Sequence, residues 1–342
     1  MPSSTRYGLD IGSMNFRISK GGSGIILNDK TMIAVRKKEL LSAGNDAYEM
    51  FERTPRDIRI TWPVENGVIK DIRLLGMTTE ALLKKSGLSA GIIRNKSFYI
   101  AAPSDANEVE KRAYFNIISN TAFTTHNIHI IQKPLAAAIG EDMPIRNNAW
   151  GMLVDMGAGA TEVSIMTGGG VVVSRLLREG GNTINASIQN LILRNRNLLI
   201  GYKSAEYLKL ELGSAVPTGS RTVKVYGRDR SSGFPASADI PEKLVFAAMK
   251  PYLVHVVRII KDILGNIPAE YSEDIEDYGI HFTGGTSMMP NLEKLMKSIL
   301  STRVFFSDRP LESTSRGIAK ICENPQEYKS LIFSMRDEIF EQ

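Results

Sequence analysis

The sequence predicts an alternating α/β fold built from two related halves, each carrying insertions. Two stretches, YGLDIGSMNFRI at Tyr7–Ile18 and LVDMGAGATEV at Leu153–Val163, each run from an apolar strand through an aspartate to a turn of small residues. A strand-rich meander follows both turns, which is the third observation. Small residues let backbone N–H groups approach a bound anion closely. The aspartates, Asp10 and Asp155, are placed to hold a hydrated cation or to orient water. The two turns therefore predict two similar half-domains that grip one phosphate tail.

The composition is ordinary for a globular protein with room for two domains. The chain has 342 residues, of which 43% are hydrophobic and 23% charged, and a single core rarely extends that far. The net charge of +5 is mild and the basic residues are spread out, so nucleic acid is not indicated as a partner. A single cysteine, Cys322, excludes an internal disulfide. No leader pattern and no apolar run of about 18 residues is found. We therefore expect a cytoplasmic protein whose membrane contact, if any, is peripheral.

The first half is predicted to begin with a β-meander and to continue with alternating helices and strands. Residues 37–72 are rich in Lys and Glu and contain an extended Pro55–Pro63 segment, so they look like a small inserted subdomain. The predicted strands are Tyr7–Ile11, Phe16–Ser19, Ile25–Leu27, Met32–Val35, Ser97–Ala102 and Asn127–Ile131. The predicted helices are Thr78–Lys85, Ala106–Thr121 with Ser104 as its N-cap, and Pro134–Gly140.

The second half repeats the meander from Trp150, and this repetition is the best internal evidence for a duplicated fold. Its predicted strands are Met152–Val154, Glu162–Met166, Gly170–Arg178 and Arg221–Tyr226. Its predicted helices are Thr183–Arg194, Ser204–Leu212, Glu242–Leu264, Asn291–Leu300, and a tail from Glu312 through Cys322 and beyond. Pro251 should kink or divide the longest of them. A third strand-to-glycine turn lies at Tyr278–Ser287.

Common catalytic and metal motifs do not accompany these turns. The chain has no G-x-x-x-x-G-K-[ST] sequence, so a P-loop is excluded. His126 and His129 are the only histidines spaced as a ligand pair could be, and ordinary surface histidines are the favoured interpretation. No Ser/His/Asp arrangement can be argued from the sequence.

Longer stretches resemble one family over essentially the whole chain, the MreB-type bacterial actins of the actin and sugar-kinase superfamily. The stretches that carry the resemblance are Arg53-Thr-Pro, PVENGVIKD from Pro63, KPLAAAIG from Lys133, NLLIG from Asn197, SAEYLKLELGSA from Ser204, YGRDRSSGFP from Tyr226 and Thr283-Gly-Gly. The resemblance implies an actin-like fold in which two RNase H-like halves surround a nucleotide cleft. It also implies four subdomains: IA at 1–36, 73–149 and 310–342, IB at 37–72, IIA at 150–181 and 242–309, and IIB at 182–241.

The resemblance also implies that ATP and Mg²⁺ are the cofactors. The implied phosphate loops are Ser13, Met14 and Asn15 for the first, and Ala158, Gly159 and Ala160 for the second. The adenosine would be supported by Gly284, Gly285, Thr286 and Ser287, and the metal by Asp10 and Asp155. Glu206 and Lys209 stand at i and i+3 of a predicted helix, so both can face one ligand. An exposed intrahelical ion pair is the alternative for these two residues.

Several positions depart from the family pattern. The family has an acidic residue that positions the attacking water immediately before the helix that begins at Pro134, and Lys133 stands in its place. An ammonium group has three donors and no acceptor, so it cannot take a proton from water. Ala160 lacks a hydroxyl that would contact phosphate or metal-bound water, and Ala158 adds a methyl group. Asp155 and Lys133 are thus the candidate catalytic positions, and we expect weak or absent ATP hydrolysis.

The sequence leads to one main hypothesis of function and two alternatives. The main one is an ATP-binding actin-like protein that polymerises at the inner membrane surface and organises the cell-wall elongation machinery for cell shape. The first alternative is a regulatory or scaffold paralogue that holds nucleotide statically or not at all and co-assembles with a competent bacterial actin. An enzyme of the sugar-kinase branch is disfavoured, because no substrate base can be named. Ile92 and Ile93 form the candidate membrane loop, and burial in a subdomain core is the other interpretation of this pair.

Overall fold

The structure, a computed structural model, describes residues 5–88, 96–123, 127–144, 150–168, 170–217 and 219–334. The chain divides into two compact units. Unit 1 comprises Met1–Leu153, Ser164–Leu176 and Leu311–Gln342, and unit 2 comprises Val154–Val163 and Leu177–Pro310. The four predicted subdomain boundaries stay predictions.

Strands and helices alternate along the described chain, as the sequence predicts. The strands are β1 (Thr5–Ile11), β2 (Asn15–Lys20), β3 (Gly24–Lys30), β4 (Ile33–Arg36), β5 (Glu39–Ala43), β6 (Ile58–Thr61), β7 (Val64–Glu65), β8 (Val68–Ile69), β9 (Lys96–Ala102), β10 (Ile128–Gln132), β11 (Gly151–Met156), β12 (Thr161–Thr167), β13 (Gly170–Leu177), β14 (Leu198–Leu199), β15 (Thr222–Asp229), β16 (Pro235–Pro241), β17 (Ile280–Thr283), β18 (Val304–Phe306) and β19 (Ile332–Ser334). The helices are α1 (Asn45–Met50), α2 (Ile72–Lys85), α3 (Glu108–Ser119), α4 (Lys133–Gly140), α5 (Gly181–Arg196), α6 (Tyr202–Leu212), α7 (Glu242–Leu264), α8 (Ala269–Tyr278), α9 (Leu292–Ile299) and α10 (Ser313–Glu323).

A six-stranded sheet, ordered β19-β10-β9-β1-β2-β3, forms the core of unit 1. β1 runs parallel to β9 and antiparallel to β2, so it lies at the centre of the sheet. Because side chains alternate along a strand, Leu9 and Ile100 pack into one apolar cluster while Tyr99 and Ala101 pack into another with α4 and α10. The prediction that the helix of the tail continues beyond Cys322 is wrong for residues 324–334, because α10 ends at Glu323 and β19 pairs with β10.

Helices α4 and α10 cross at very short range in unit 1. A Cβ added at Gly140 would overlap the Ser313 carbonyl oxygen, and one added at Gly317 would overlap the Ala136 carbonyl oxygen. Two glycines that face the opposite backbone therefore set the distance between these helices. This contact packs α4, the helix that begins at Lys133, closely against α10.

The inserted segment of unit 1 contains a three-stranded sheet, β5-β4-β6, and the β7–β8 hairpin. Asp29 ties this segment to the larger sheet, because its buried carboxylate accepts from the Asn45 backbone N–H and pairs with Lys85 Nζ at 2.9 Å. The hydrogen bond to Asp29 raises the pKa of Lys85 above its ordinary value.

Two sheets and the longest helix characterise the rest of the chain. A five-stranded sheet has the order β13-β12-β11-β17-β18, and a three-stranded sheet has the order β14-β15-β16. The chain passes between the units within β11, β12 and β13 and again between Pro310 and Leu311. Pro251 does not divide α7, which continues from Glu242 to Leu264. The sequence analysis missed β16 and α8.

Two helix starts also differ from the prediction. Helix α2 begins at Ile72, because Asp71 caps it by accepting from the Leu74 N–H. Helix α3 begins at Glu108 with Asn107 as its N-cap in a reciprocal capping box with Glu110, so Ser104 is not the cap.

Candidate functional site

The first predicted phosphate loop is a tight turn at the end of β1 in unit 1. The Gly12 N–H donates to the Asn15 carbonyl at 3.0 Å, and Ser13 and Met14 form the tip. Ser13 Oγ accepts from the Gly67 N–H of the β7–β8 hairpin at 3.1 Å, and Asn15 Oδ1 accepts from Lys30 Nζ at 3.2 Å. The loop is therefore fixed by contacts from the inserted segment and from β3.

The second predicted phosphate loop, at the end of β11, has the same hydrogen-bond geometry. The Gly157 N–H donates to the Ala160 carbonyl at 2.9 Å, with Ala158 and Gly159 at the tip. None of the residues 157–160 has a positive φ, so Ala158 and Ala160 fit the turn without strain. The structure thus matches the prediction of two equivalent Asp-x-Gly turns.

Three predicted ligand segments of unit 2 converge on Gly181, the first residue of α5. A Cβ at Gly181 would lie 3.2 Å from both Lys209 Nζ and Thr286 Oγ1, and 3.7 Å from Ala158 Cα. Lys209 Nζ also donates to the Gly181 carbonyl at 3.2 Å, and Thr286 Oγ1 donates to the Gly157 carbonyl at 2.8 Å. Glu206 is half-buried on the same helix as Lys209, one turn earlier. Gly181 itself was not among the predicted residues, and its sequence gave no signal beyond the Gly-Gly pair.

The strand-to-glycine turn after β17 packs directly on Asp155. Gly284 has φ +84°, and a Cβ there would lie 2.5 Å from Asp155 Oδ1 and from the Met156 carbonyl oxygen. Only glycine meets both demands. The next residues, Gly285–Met288, form a short 3₁₀ turn, in which Ser287 Oγ donates to the Gly284 carbonyl at 2.7 Å. Gly284 thus positions the predicted adenosine-supporting residues beside the second-loop aspartate.

The hydroxyl groups of Thr161 and Tyr252 form a hydrogen-bond network directly after the second loop. Thr161 Oγ1 and Tyr252 Oη are 2.8 Å apart, and Thr161 also donates to the Glu179 carbonyl at 3.0 Å. Burial raises the pKa of Tyr252 far above its usual range, so this phenol stays protonated. His255 Nδ1 lies 2.9 Å from the Glu179 carboxylate. Among the described residues, no group of three or more His, Cys, Asp or Glu could hold a metal ion.

Asp10 forms a buried ion pair that the sequence analysis missed. Arg17 lies opposite Asp10 across the β1–β2 pairing, and its Nη1 is 3.4 Å from Asp10 Oδ2. Both side chains are almost fully buried. The signal available in the sequence was an arginine inside a predicted apolar strand. Because its charge is already paired, Asp10 is disfavoured as a metal ligand.

Lys133 begins α4 and is half-buried. The helix has no side-chain N-cap, and Pro134 occupies its first turn. Burial raises the pKa of the nearby Tyr114 phenol far above its usual range, while the charge of Lys133 acts in the opposite direction. An ammonium at this helix start can attract an anion but cannot act as a general base.

The predicted membrane loop, Ile92 and Ile93, lies outside the described residues. The adjoining helix α2 uses its terminal lysines internally, because Lys84 pairs with Glu80 and Lys85 pairs with Asp29 and Asp46. No helix in the described part of the chain is long and apolar enough to cross a membrane.

Comparison with known proteins agrees with this geometry. The profile of the family described as MreB/Mbl protein matches residues 4–330. The chain belongs to the MreB/Mbl family. It is 30% identical to the cell shape-determining protein MreB of Escherichia coli strain K12 over 322 residues, covering 92% of each chain. It is 29% identical to the cell shape-determining protein Mbl of Bacillus subtilis strain 168 over 323 residues, covering 93% of this chain and 95% of Mbl.

Solved structures show that this MreB/Mbl chain has the actin-like fold. MreB 5 of Spiroplasma citri bound to AMPPNP superposes with a TM-score of 0.89 at 26% identity, covering 96% of this chain and 99% of that one. The MamK double helical filament superposes with a TM-score of 0.76 at 20% identity, covering 94% and 99%. The prediction of the family and of the fold class is confirmed.

Proposed function

We propose that this protein is a cytoskeletal bacterial actin that binds ATP, polymerises at the inner face of the cell membrane and organises cell-wall synthesis for cell shape. Its curated relatives are cell shape-determining proteins, and related MreB 5 structures contain AMPPNP or ADP. The observation that carries nucleotide binding is the convergence of Lys209, Thr286 and Ala158 on Gly181. These residues fit a nucleotide, because one cation, one hydroxyl and a loop backbone surround a position without a side chain.

We also propose that hydrolysis is weak or absent. Lys133 supplies charge at the start of α4 but no proton acceptor, and Ala160 supplies no hydroxyl at the second loop. The nearest hydroxyl in sequence, that of Thr161, is bonded to Tyr252 and Glu179 and cannot take over that role without breaking both contacts. ATP is therefore held as a structural ligand that is not consumed.

The test is single-turnover hydrolysis of radiolabelled ATP by the purified wild-type protein and by Lys133→Glu. The wild type should bind ATP without turnover, and the variant should gain hydrolysis by roughly a hundredfold or more, the usual contribution of a positioned general base. Lys297→Glu, which changes an exposed lysine of α9 paired with Glu293, is the matched control and should gain nothing. Turnover by the wild type at an ordinary actin-like rate would refute the proposal.

A scaffold paralogue that binds no nucleotide is the second candidate. Lys133, Ala158 and Ala160 favour it, because all three remove features that a hydrolytic site uses. Equilibrium binding of ATP distinguishes the two candidates. Only the scaffold hypothesis predicts that ATP does not bind and that filaments form equally well with and without ATP. Sedimentation of the purified protein with and without ATP, alone and mixed with a competent bacterial actin, measures this directly.

A further inference from the structure

Arg17 is a buried cation on the strand that follows the first predicted phosphate loop. It lies on β2 directly opposite Asp10, and only 7% of its side chain is exposed. Removing a charged guanidinium from water is costly unless the charge is paired and its donors are satisfied. A residue of this kind at the first loop therefore needs an explanation.

The pairing with Asp10 leaves Arg17 incompletely satisfied. The 3.4 Å contact is longer than the roughly 2.7–2.9 Å of a good charge-assisted hydrogen bond. Nε of Arg17 is buried and has no hydrogen-bond partner in the described structure. A guanidinium carries five N–H donors and cannot lose its charge in a protein. The Nε–H of Arg17 is therefore an unused donor next to the loop predicted to hold phosphate.

The same contact changes what Asp10 can do. A divalent cation binds tightly when carboxylates contribute net negative charge, and Mg²⁺ also demands a nearly ideal shell of oxygen ligands. At Asp10 the negative charge is already neutralised by Arg17, which would repel the metal. The Asp10–Arg17 pair thus has no net negative charge with which to attract a divalent cation.

We propose that Arg17 takes the place of the divalent cation at the first loop, where it neutralises Asp10 and donates to the phosphate chain, so that ATP binds with little dependence on Mg²⁺. This inference rests on the proposed nucleotide binding and names the groups that recognise the phosphates. A carboxylate–guanidinium pair at 3.4 Å can reorganise so that phosphate oxygens use the remaining donors, because Arg matches phosphate oxygens in a forked geometry.

The test compares the dissociation constant of a fluorescent ATP analogue in excess MgCl₂ with that in excess EDTA, using the full-length wild-type protein. We expect the two values to differ by less than about threefold, whereas a site that bridges phosphate through Mg²⁺ loses about tenfold or more. A tenfold loss in EDTA overturns the inference and leaves the proposed function standing. No binding in either condition overturns both.

Variants then assign the effect to Arg17. Arg17→Leu should weaken binding in EDTA about tenfold or more and recover part of the affinity in MgCl₂, because Asp10 is released from its partner. The double variant Asp10→Asn/Arg17→Leu removes the whole pair and should bind weakly in both conditions. Arg36→Leu, which removes an exposed arginine paired with Asp57, is the control and should match the wild type. A folded Arg17→Leu protein that binds ATP in EDTA as tightly as the wild type contradicts the inference. If Arg17→Leu does not fold, the inference is tested by the double variant and by the comparison of wild-type affinity in MgCl₂ and in EDTA.

Discussion

Gly181→Ala is expected to separate nucleotide binding from folding in unit 2. Gly181 is the first residue of α5, and an added Cβ would lie 3.2 Å from Lys209 Nζ and from Thr286 Oγ1. Both atoms belong to side chains rather than to the backbone, so the fold accepts the methyl group once they move by a few tenths of an ångström. The methyl group nevertheless occupies the point on which the predicted ligands converge.

The two effects differ in size. Alanine is a better helix former than glycine by up to about 1 kcal/mol, which offsets a weakened hydrogen bond from Lys209 to the Gly181 carbonyl of about 1 kcal/mol. The free energy of unfolding should therefore change by less than about 1 kcal/mol. Loss of one charge-assisted contact to the nucleotide, about 1.5–3 kcal/mol, should weaken ATP binding roughly ten- to a hundredfold.

Two measurements on the same preparations decide the matter: thermal unfolding without nucleotide, and equilibrium titration with a fluorescent ATP analogue. Gly76→Ala is the matched control, because Gly76 lies inside α2 with nothing within 4 Å of an added Cβ. It should raise stability by about 0.5–1 kcal/mol and leave ATP affinity unchanged. A Gly181→Ala protein that melts like the wild type and binds ATP equally well would refute the assignment of Lys209 and Thr286 to the nucleotide.

Two further predictions concern other parts of the chain. Gly317→Ala should destabilise unit 1 by at least about 1–3 kcal/mol, because the new methyl group overlaps the Ala136 carbonyl and forces α10 away from α4. Chemical denaturation measures this change. A stability equal to that of the wild type would contradict the glycine-mediated contact. Ile92→Ser combined with Ile93→Ser should abolish co-sedimentation with anionic liposomes, because the predicted membrane loop loses its apolar pair. The control is Leu40→Ser with Leu41→Ser, which changes an exposed pair in β5. Undiminished binding by the Ile92/Ile93 variant would place the membrane contact elsewhere.

The sequence predicted the elements that have a strong period or a local stop signal. Strands β1, β2 and β9 were found because their apolar runs end in Asp, Gly or Pro, and α7 was found because apolar residues recur at helical spacing from Val245 to Ile263. The misses have physical reasons. Five of the ten residues of helix α8 are acidic, so it lacks a marked apolar period, and β19 is three residues long and depends on its pairing with β10.

The parts of the candidate site that lie in short sequence motifs could be predicted. The parts that depend on contacts between residues distant in sequence could not. The two Asp-x-Gly turns and the Lys209 position followed from motifs, and the structure gives the turns one common hydrogen bond. The Asp10–Arg17 pair did not, because it depends on the β1–β2 register, which sets Arg17 opposite Asp10 rather than one residue away. Gly181 was missed for a similar reason, because the residues that surround it come from three segments distant in sequence.

The glycines of the site do not all carry the same information about nucleotide binding. Gly180 and Gly284 are required by the fold itself: a Cβ would lie 2.5 Å from the Gly157 carbonyl oxygen at the first, and 2.5 Å from the Met156 carbonyl oxygen at the second. Their presence would therefore follow from packing even in a chain that never met ATP. Gly181 is different, because an added Cβ would meet two side-chain atoms, Lys209 Nζ and Thr286 Oγ1, at 3.2 Å rather than a backbone carbonyl. The choice between an ATP-binding filament and a nucleotide-free scaffold thus depends on Gly181 and Lys209, and the Gly181→Ala titration tests it at a glycine whose nearest neighbours are predicted ligand side chains.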